Sequence, residues 1–264
     1  MSRKLVPALA VVALALVPVA ARAQDPTATT APPTTVPPTT VPPTTVAPTT
    51  AEPSAPTPET ALVVGDEAAY RAALTALSAD GVGPHTITLI ADITVDDGTD
   101  PAYTGTEDLT VDGAGFALDA VGTSRLLVVD SPTDAAVTVA DVTMRNGEAV
   151  GDGGAVLVRN ASTLHIRDSR FEANTAAGSG GAVQVPVSAT VERSDFVGNQ
   201  ATTGDGGALD AADPIGEIGI DRSQFEENRA PVGDGGAVSA VGSGFIGDVS
   251  VERSTFVGNR AARG

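Results

Sequence analysis

The chain has no cysteine, no tryptophan, a single lysine (Lys4), two histidines, six phenylalanines and two tyrosines in 264 residues. Without cysteine there can be no disulfide framework, thiolate zinc site or cysteine nucleophile. With its one lysine beside the N-terminus, lysine Schiff-base and P-loop chemistry have no residue to use. Basic charge is scarce as well. Acidic residues number 33 against 15 Lys plus Arg, a formal net charge of −18. The clustered cations that neutralise a phosphate backbone are missing, so a nucleic-acid surface is excluded.

Two features precede the globular part. Arg3 and Lys4 lead into an apolar run from Ala8 to Val17, then Pro18 and Ala21-Arg22-Ala23. A basic start, a short apolar core and a small-x-small site predict a secretory signal peptide over 1–23, cut after Ala23. The run is far shorter than the roughly 20 residues that span a bilayer, so no membrane span is expected after cleavage. Losing Arg3, Lys4 and Arg22 would make the charge three units more negative. Residues 24–60 are rich in Thr and Pro and carry Pro-Pro-Thr-Thr-Val three times in succession, at 32–36, 37–41 and 42–46. Such a stretch cannot bury a core and reads as a disordered, extended stalk, with O-glycosylation open. All 29 glycines lie beyond it, which sets a domain over 61–264.

That domain repeats. Gly-Gly-Ala followed by an aliphatic residue occurs at 153–156, 180–183, 206–209 and 235–238. Phe-x-x-Asn alternates with it, at Phe171/Asn174, Phe196/Asn199, Phe225/Asn228 and Phe256/Asn259. Ser169, Ser194, Ser223 and Ser254 stand two places before each Phe, and Ile166, Val191, Ile220 and Val251 five places before. The same frame read backwards reaches Met144, with Val139 and Val137, and then Phe116, with Val111 and Leu109. The slot thus recurs about every 28 residues. Apolar residues alternate with polar ones inside each unit, the period of a strand. Short strands, Gly/Asn/Asp turns and a fixed repeat predict an all-β fold, a right-handed parallel β-helix (solenoid), with Phe on Phe, Ser on Ser and Asn on Asn in successive coils. A short helix from Glu67 to Leu77, N-capped by Asp66, is expected to cover the first coil, placed at about Thr86 to Val95. At the other end the sequence stops after a Phe-x-x-Asn and before a further Gly-Gly-Ala, so the domain is expected to be incomplete there.

Alternating Gly-Gly-Ala-[Ile/Val/Leu] and Phe-x-x-Asn resembles the repeat of polymorphic outer membrane proteins and of secreted bacterial right-handed β-helix repeat proteins of the pectin lyase-like fold. The resemblance covers residues 137–259 well and 85–264 loosely. It implies a secreted or cell-surface bacterial protein, often adhesive. The translocating C-terminal β-barrel of the outer-membrane members has no counterpart in this sequence, so outer-membrane insertion is not implied.

Enzymes also use this fold, and fold does not fix function. The turn before the Phe slot, Met144 included, carries Asp141, Asp168, Arg193, Arg222 and Arg253, flanked by Arg167, Glu192, Asp221 and Glu252. These are expected to form mutually neutralising surface pairs; as a polysaccharide-cleaving cluster, Asp141, Asp168 and Arg193 would be the first residues to mutate. Asp152, Asp205 and Asp234 precede three of the Gly-Gly pairs, with Ser179 at the fourth. Solvated turn aspartates are one reading and a Ca²⁺ ladder the other. Gly242-Ser243-Gly244-Phe245-Ile246-Gly247 spells a dinucleotide fingerprint, but the residues after it predict a strand where a helix is required. His165, between Leu164 and Ile166, should point outwards. Asn160-Ala161-Ser162 is a glycosylation sequon. The sequence therefore assigns no catalytic, cofactor-binding or metal residue. It favours a non-catalytic secreted or cell-surface module for adhesion or envelope interaction with an extracellular ligand or glycan. A pectate-lyase-like polysaccharide lyase or glycoside hydrolase is the alternative.

Overall fold

The computed structural model describes residues 59–160, 163–185, 187–212, 217–241 and 248–262. The predicted signal peptide and nearly all of the stalk lie outside these residues. Within them the chain winds into a right-handed parallel β-solenoid of about seven turns. Every strand pairing is parallel, and equivalent strands of successive coils build four sheets of eight, seven, six and five strands.

The eight-stranded sheet shows how the sequence pattern works. Its strands run from Thr60–Val64 through His85–Leu89, Leu109–Asp112, Ala136–Ala140, Thr163–Arg167, Ser188–Glu192 and Ile218–Asp221 to Val249–Glu252. The inward residues form two continuous aliphatic files. Leu109, Val137, Leu164, Ala189 and Ile218 stack in one, and Val111, Val139, Ile166, Val191 and Ile220 in the other. The intervening residues face out, and His165 among them places Nδ1 2.7 Å from Thr190 Oγ1. Around the corner the Phe slot forms a third file. Phe171, Phe196, Phe225 and Phe256 stack with ring centroids 4.7–4.8 Å apart and planes within 3°, the spacing of hydrogen-bonded strands.

Two details differ from the sequence reading. Phe116 does not occupy the stacking slot. Leu118 pairs with Met144, and Ile93 with Leu118. The cause is a longer corner: Asp112-Gly113-Ala114-Gly115 forms an extra turn in which Phe116 N–H donates to Gly113 O at 2.8 Å and Asp112 accepts from Ala114 N. Seven residues therefore separate Val111 from Leu118, where five separate Val139 from Met144, and Phe116 packs against the edge of the core. In addition, a strand, Thr60–Val64, precedes the helix and pairs with His85–Leu89, so the first coil begins before the position expected for it.

The helix, α1 (Glu67–Ala79), runs two residues beyond its expected end. Asp66 accepts from Ala69 N at 2.8 Å, satisfying an N-terminal donor as an N-cap should. Tyr70, Ala73, Leu74 and Leu77 form its buried face, and the Tyr70 hydroxyl donates to Leu126 O at 3.0 Å, tying the helix to a neighbouring coil.

Candidate functional site

Two constructions outside the core gather polar chemistry. The first is the charged corner. Asp141, Asp168, Arg193, Arg222 and Arg253 all hold left-handed backbone, φ 46–51°, which turns the chain between the eight- and seven-stranded sheets and directs these side chains outwards. The corner shelters a shallow groove of about 370 Å³ that brings Asp141, Asp168 and Arg193 together with Arg170 and Asp195. Arg193 grips Asp168 with both arms, Nε–Oδ1 2.6 Å and Nη2–Oδ2 2.9 Å, and also reaches Glu192 at 3.0 Å. Arg253 bonds Asp221 at 2.7 Å and Glu252 at 3.1 Å. The Arg193 hydrogen bond, with Coulombic help from Arg193 and Arg167, holds the Asp168 carboxyl below its ordinary range. Arg253 does the same for Asp221. These are the neutralising pairs expected from the sequence. Asp141 takes part in none of the ion pairs among the described residues.

The second construction surrounds the Gly-Gly-Ala loops. The first glycine of each, Gly153, Gly180, Gly206 and Gly235, has φ between 62 and 65°, a conformation that costs glycine least. It lets the loop fold back over the outer face of the strand that follows. A Cβ on Gly206 would lie 3.0 Å from Asp210 Cα, and one on Gly235 would lie 3.0 Å from Ser239 Cα. The outward row of the six-stranded sheet, Leu157, Gln184, Asp210 and Ser239, is therefore roofed, and Asp210 is only 5% exposed. Burial, reinforced by the nearby Asp205 and Asp152 carboxylates, pushes the Asp210 carboxyl up to about 7.

On the roof, the stacked aspartates are spaced by backbone donors. Asp152 Oδ1 accepts from Ser179 N at 2.8 Å, Ser179 Oγ from Asp205 N at 3.0 Å, and Asp205 Oδ1 from Asp234 N at 2.6 Å. Each thus serves as an acceptor for the next coil, an arrangement neither reading of the sequence contained. Among the described residues no group of three His, Cys, Asp or Glu side chains is placed to hold a metal. At the start of the roof Arg125, 8% exposed, donates through Nε to the carbonyls of Asp152 and Gly153 and pairs with Asp100 at 2.6 Å.

Asp210 and Arg125 were both missed in the sequence. The available signal was a charged residue in the middle of the apolar strand Leu209-Asp210-Ala211, directly after a Gly-Gly-Ala. Tyr70 and Tyr103 are fully buried and offer no stacking platform for sugars. Of the fingerprint-like glycines, none lies within the described residues; the strand Val249–Glu252 follows them, as expected. Asn160 of the sequon donates to Asp130 Oδ1 at 2.7 Å, while its other two residues lie outside the described set. No helix among the described residues is long and apolar enough to cross a membrane. Compared with protein-family models, with curated proteins and with solved structures, the chain finds no significant match.

Proposed function

We propose that the chain is a secreted or cell-surface, non-catalytic β-helix module that displays its flanks for adhesion or envelope interaction. The observation that carries this reading is the bidentate Arg193–Asp168 pair in the charged groove. A carboxylate pinned by a guanidinium and held below its ordinary range is a poor general acid or base near neutral pH. The burial of both tyrosines adds support, since sugar-cleaving clefts usually present aromatic faces. The sequence contributes the leader, the Thr/Pro stalk and the resemblance to polymorphic outer membrane protein repeats. Given the strongly negative charge, the partners expected are neutral or cationic, or anionic ones bridged by Ca²⁺.

The test is a turnover assay of the purified chain on neutral and uronic-acid polysaccharides, with and without Ca²⁺. No new reducing ends and no unsaturated products are expected from a folded, β-rich sample. Products that vanish in Asp141→Asn or Asp168→Asn would establish the lyase or hydrolase instead. Undiminished binding to an anionic polymer in EDTA at low salt would overturn the electrostatic part of the proposal.

A further inference from the structure

Under the roof of the Gly-Gly-Ala loops lies a set of polar groups that does not close. Asp210 and Ser239 are neighbours in the outward row of the six-stranded sheet, 5% and 4% exposed. Each lies five residues after the roof aspartate of its own loop, Asp205 for Asp210 and Asp234 for Ser239. Ser239 Oγ and Asp234 Oδ1 are buried with no hydrogen-bond partner. Gln184 flanks Asp210 on the other side. The charged groups acting on Asp210 are Asp205 and Asp152 on the roof. None of the ion pairs among the described residues includes Asp152, Asp205, Asp210 or Asp234.

An ionised Asp210 would be a buried, unpaired negative charge among carboxylates, an expensive arrangement. A cation or a proton could relieve it. The described carboxylates do not converge on a metal position, whereas a proton needs only the Asp210 carboxylate itself. We propose that the folded chain holds Asp210 as the neutral acid. A neutral Asp210 takes the unpaired charge out from under the roof, making the roofed groove an acid-favoured latch on the loops at Gly206 and Gly235. No covalent bond forms or breaks other than the O–H of the carboxyl.

The upward displacement of Asp210 to about 7 agrees with this. An unfolded aspartate titrates near 3.9, so folding takes up a proton between those two values. The stabilisation is complete below about pH 4, is progressively lost as pH rises, and is gone above about pH 7. Other carboxyls act in the opposite direction and at lower pH. Asp168 and Asp221, held down by arginines, stabilise above the ordinary carboxylate range and lose that contribution as pH falls through it.

The experiment follows the Asp210 carboxyl carbon of the full chain by NMR and the denaturation midpoint, from pH 4.5 to 8.5. The carboxyl is expected to titrate near 7, and the folding equilibrium to weaken by up to about tenfold per pH unit between 5 and 7. Asp210→Asn, uncharged at every pH as the acid form is, should flatten that dependence and raise the midpoint at pH 8. A carboxyl that titrates near 4 would overturn the proposal, as would an unchanged pH slope in Asp210→Asn. If Ca²⁺ at pH 7.5 stabilised the wild type and not Asp210→Asn, a cation would be the occupant and the latch would be refuted. Because the wild-type titration needs no variant, the proposal stays testable even if Asp210→Asn fails to fold. The readouts are also independent of any polysaccharide or ligand.

Discussion

The Asn corner and the roofed groove are both polar files running along the same solenoid, one rung per coil. In the Asn file each rung closes. Asn199 Nδ2 donates to Asn228 Oδ1 at 2.9 Å and to Phe171 O at 3.0 Å, while its Oδ1 accepts from both the backbone N–H and the side-chain amide of Asn174. The Ser file beside it behaves likewise: Ser194 Oγ accepts from Ser169 N at 3.1 Å and donates to Glu192 O at 2.8 Å. Identical side chains that are both donors and acceptors can repeat indefinitely without leaving an orphan. The groove is built from unlike rungs, Leu157, Gln184, Asp210 and Ser239, and its acceptors outnumber its donors. Stacking alone therefore does not satisfy a polar file; complementarity from rung to rung does. Where that fails, the protonation state of one residue can carry the difference.

This contrast can be broken experimentally, beginning with the largest expected effect. Asn199→Leu strands the Asn174 backbone N–H and Phe171 O, and takes one of two hydrogen bonds from each of Asn174 Nδ2 and Asn228 Oδ1. At about 1–3 kcal/mol per orphaned group and about 1 kcal/mol per further hydrogen bond lost, we expect a loss of about 4 kcal/mol or more at every pH, read by chemical denaturation. Phe196→Ala opens a cavity within the ring stack and should cost about 3–5 kcal/mol, again without pH dependence. Arg125→Met removes the largely buried cation that caps the roof and leaves the Asp100 carboxylate without its partner, for an expected loss of about 3 kcal/mol. If the roof is held chiefly by its glycine backbone, that variant will instead denature like the wild type. The smallest effect should come from the outer surface. Arg193→Ala breaks an exposed pair and should leave the denaturation midpoint within error of the wild type, while returning Asp168 towards the ordinary carboxylate range. Against these, Asp210→Asn should have the opposite sign at pH 8, a polar substitution under the roof that stabilises.

Much of the architecture was legible because the repeat carries it. Alternating aliphatics give the inward files, Phe-x-x-Asn gives the corner, and Ser two places earlier gives the second file. What failed was counting across an irregular corner. Phe116 lies two residues out of frame because Asp112-Gly113-Ala114-Gly115 adds a turn, and one extrapolated aromatic outweighed the less conspicuous Leu118. The strand Thr60–Val64 was hidden because its partner lies beyond a helix, and no local pattern announces a parallel pairing across an insertion. The charged corner was legible as pairs, since two adjacent turn positions carry opposite charges in each coil from Arg167-Asp168 to Glu252-Arg253. The groove was not, because its burial comes from a loop folding back over the strand, a tertiary effect that alternation reads as exposure.

The Asn file has a consequence at the level of the gene. Successive ladder asparagines are separated by 25, 29 and 31 residues, yet every rung closes with the same partners. The corner is indifferent to how much chain lies between its members. Excising residues 175–199 would join Asn174 to Gln200 in frame and present the next coil with an identical Asn acceptor. Unequal recombination between repeats can therefore lengthen or shorten the rod by whole coils and still leave every junction one that the protein already makes.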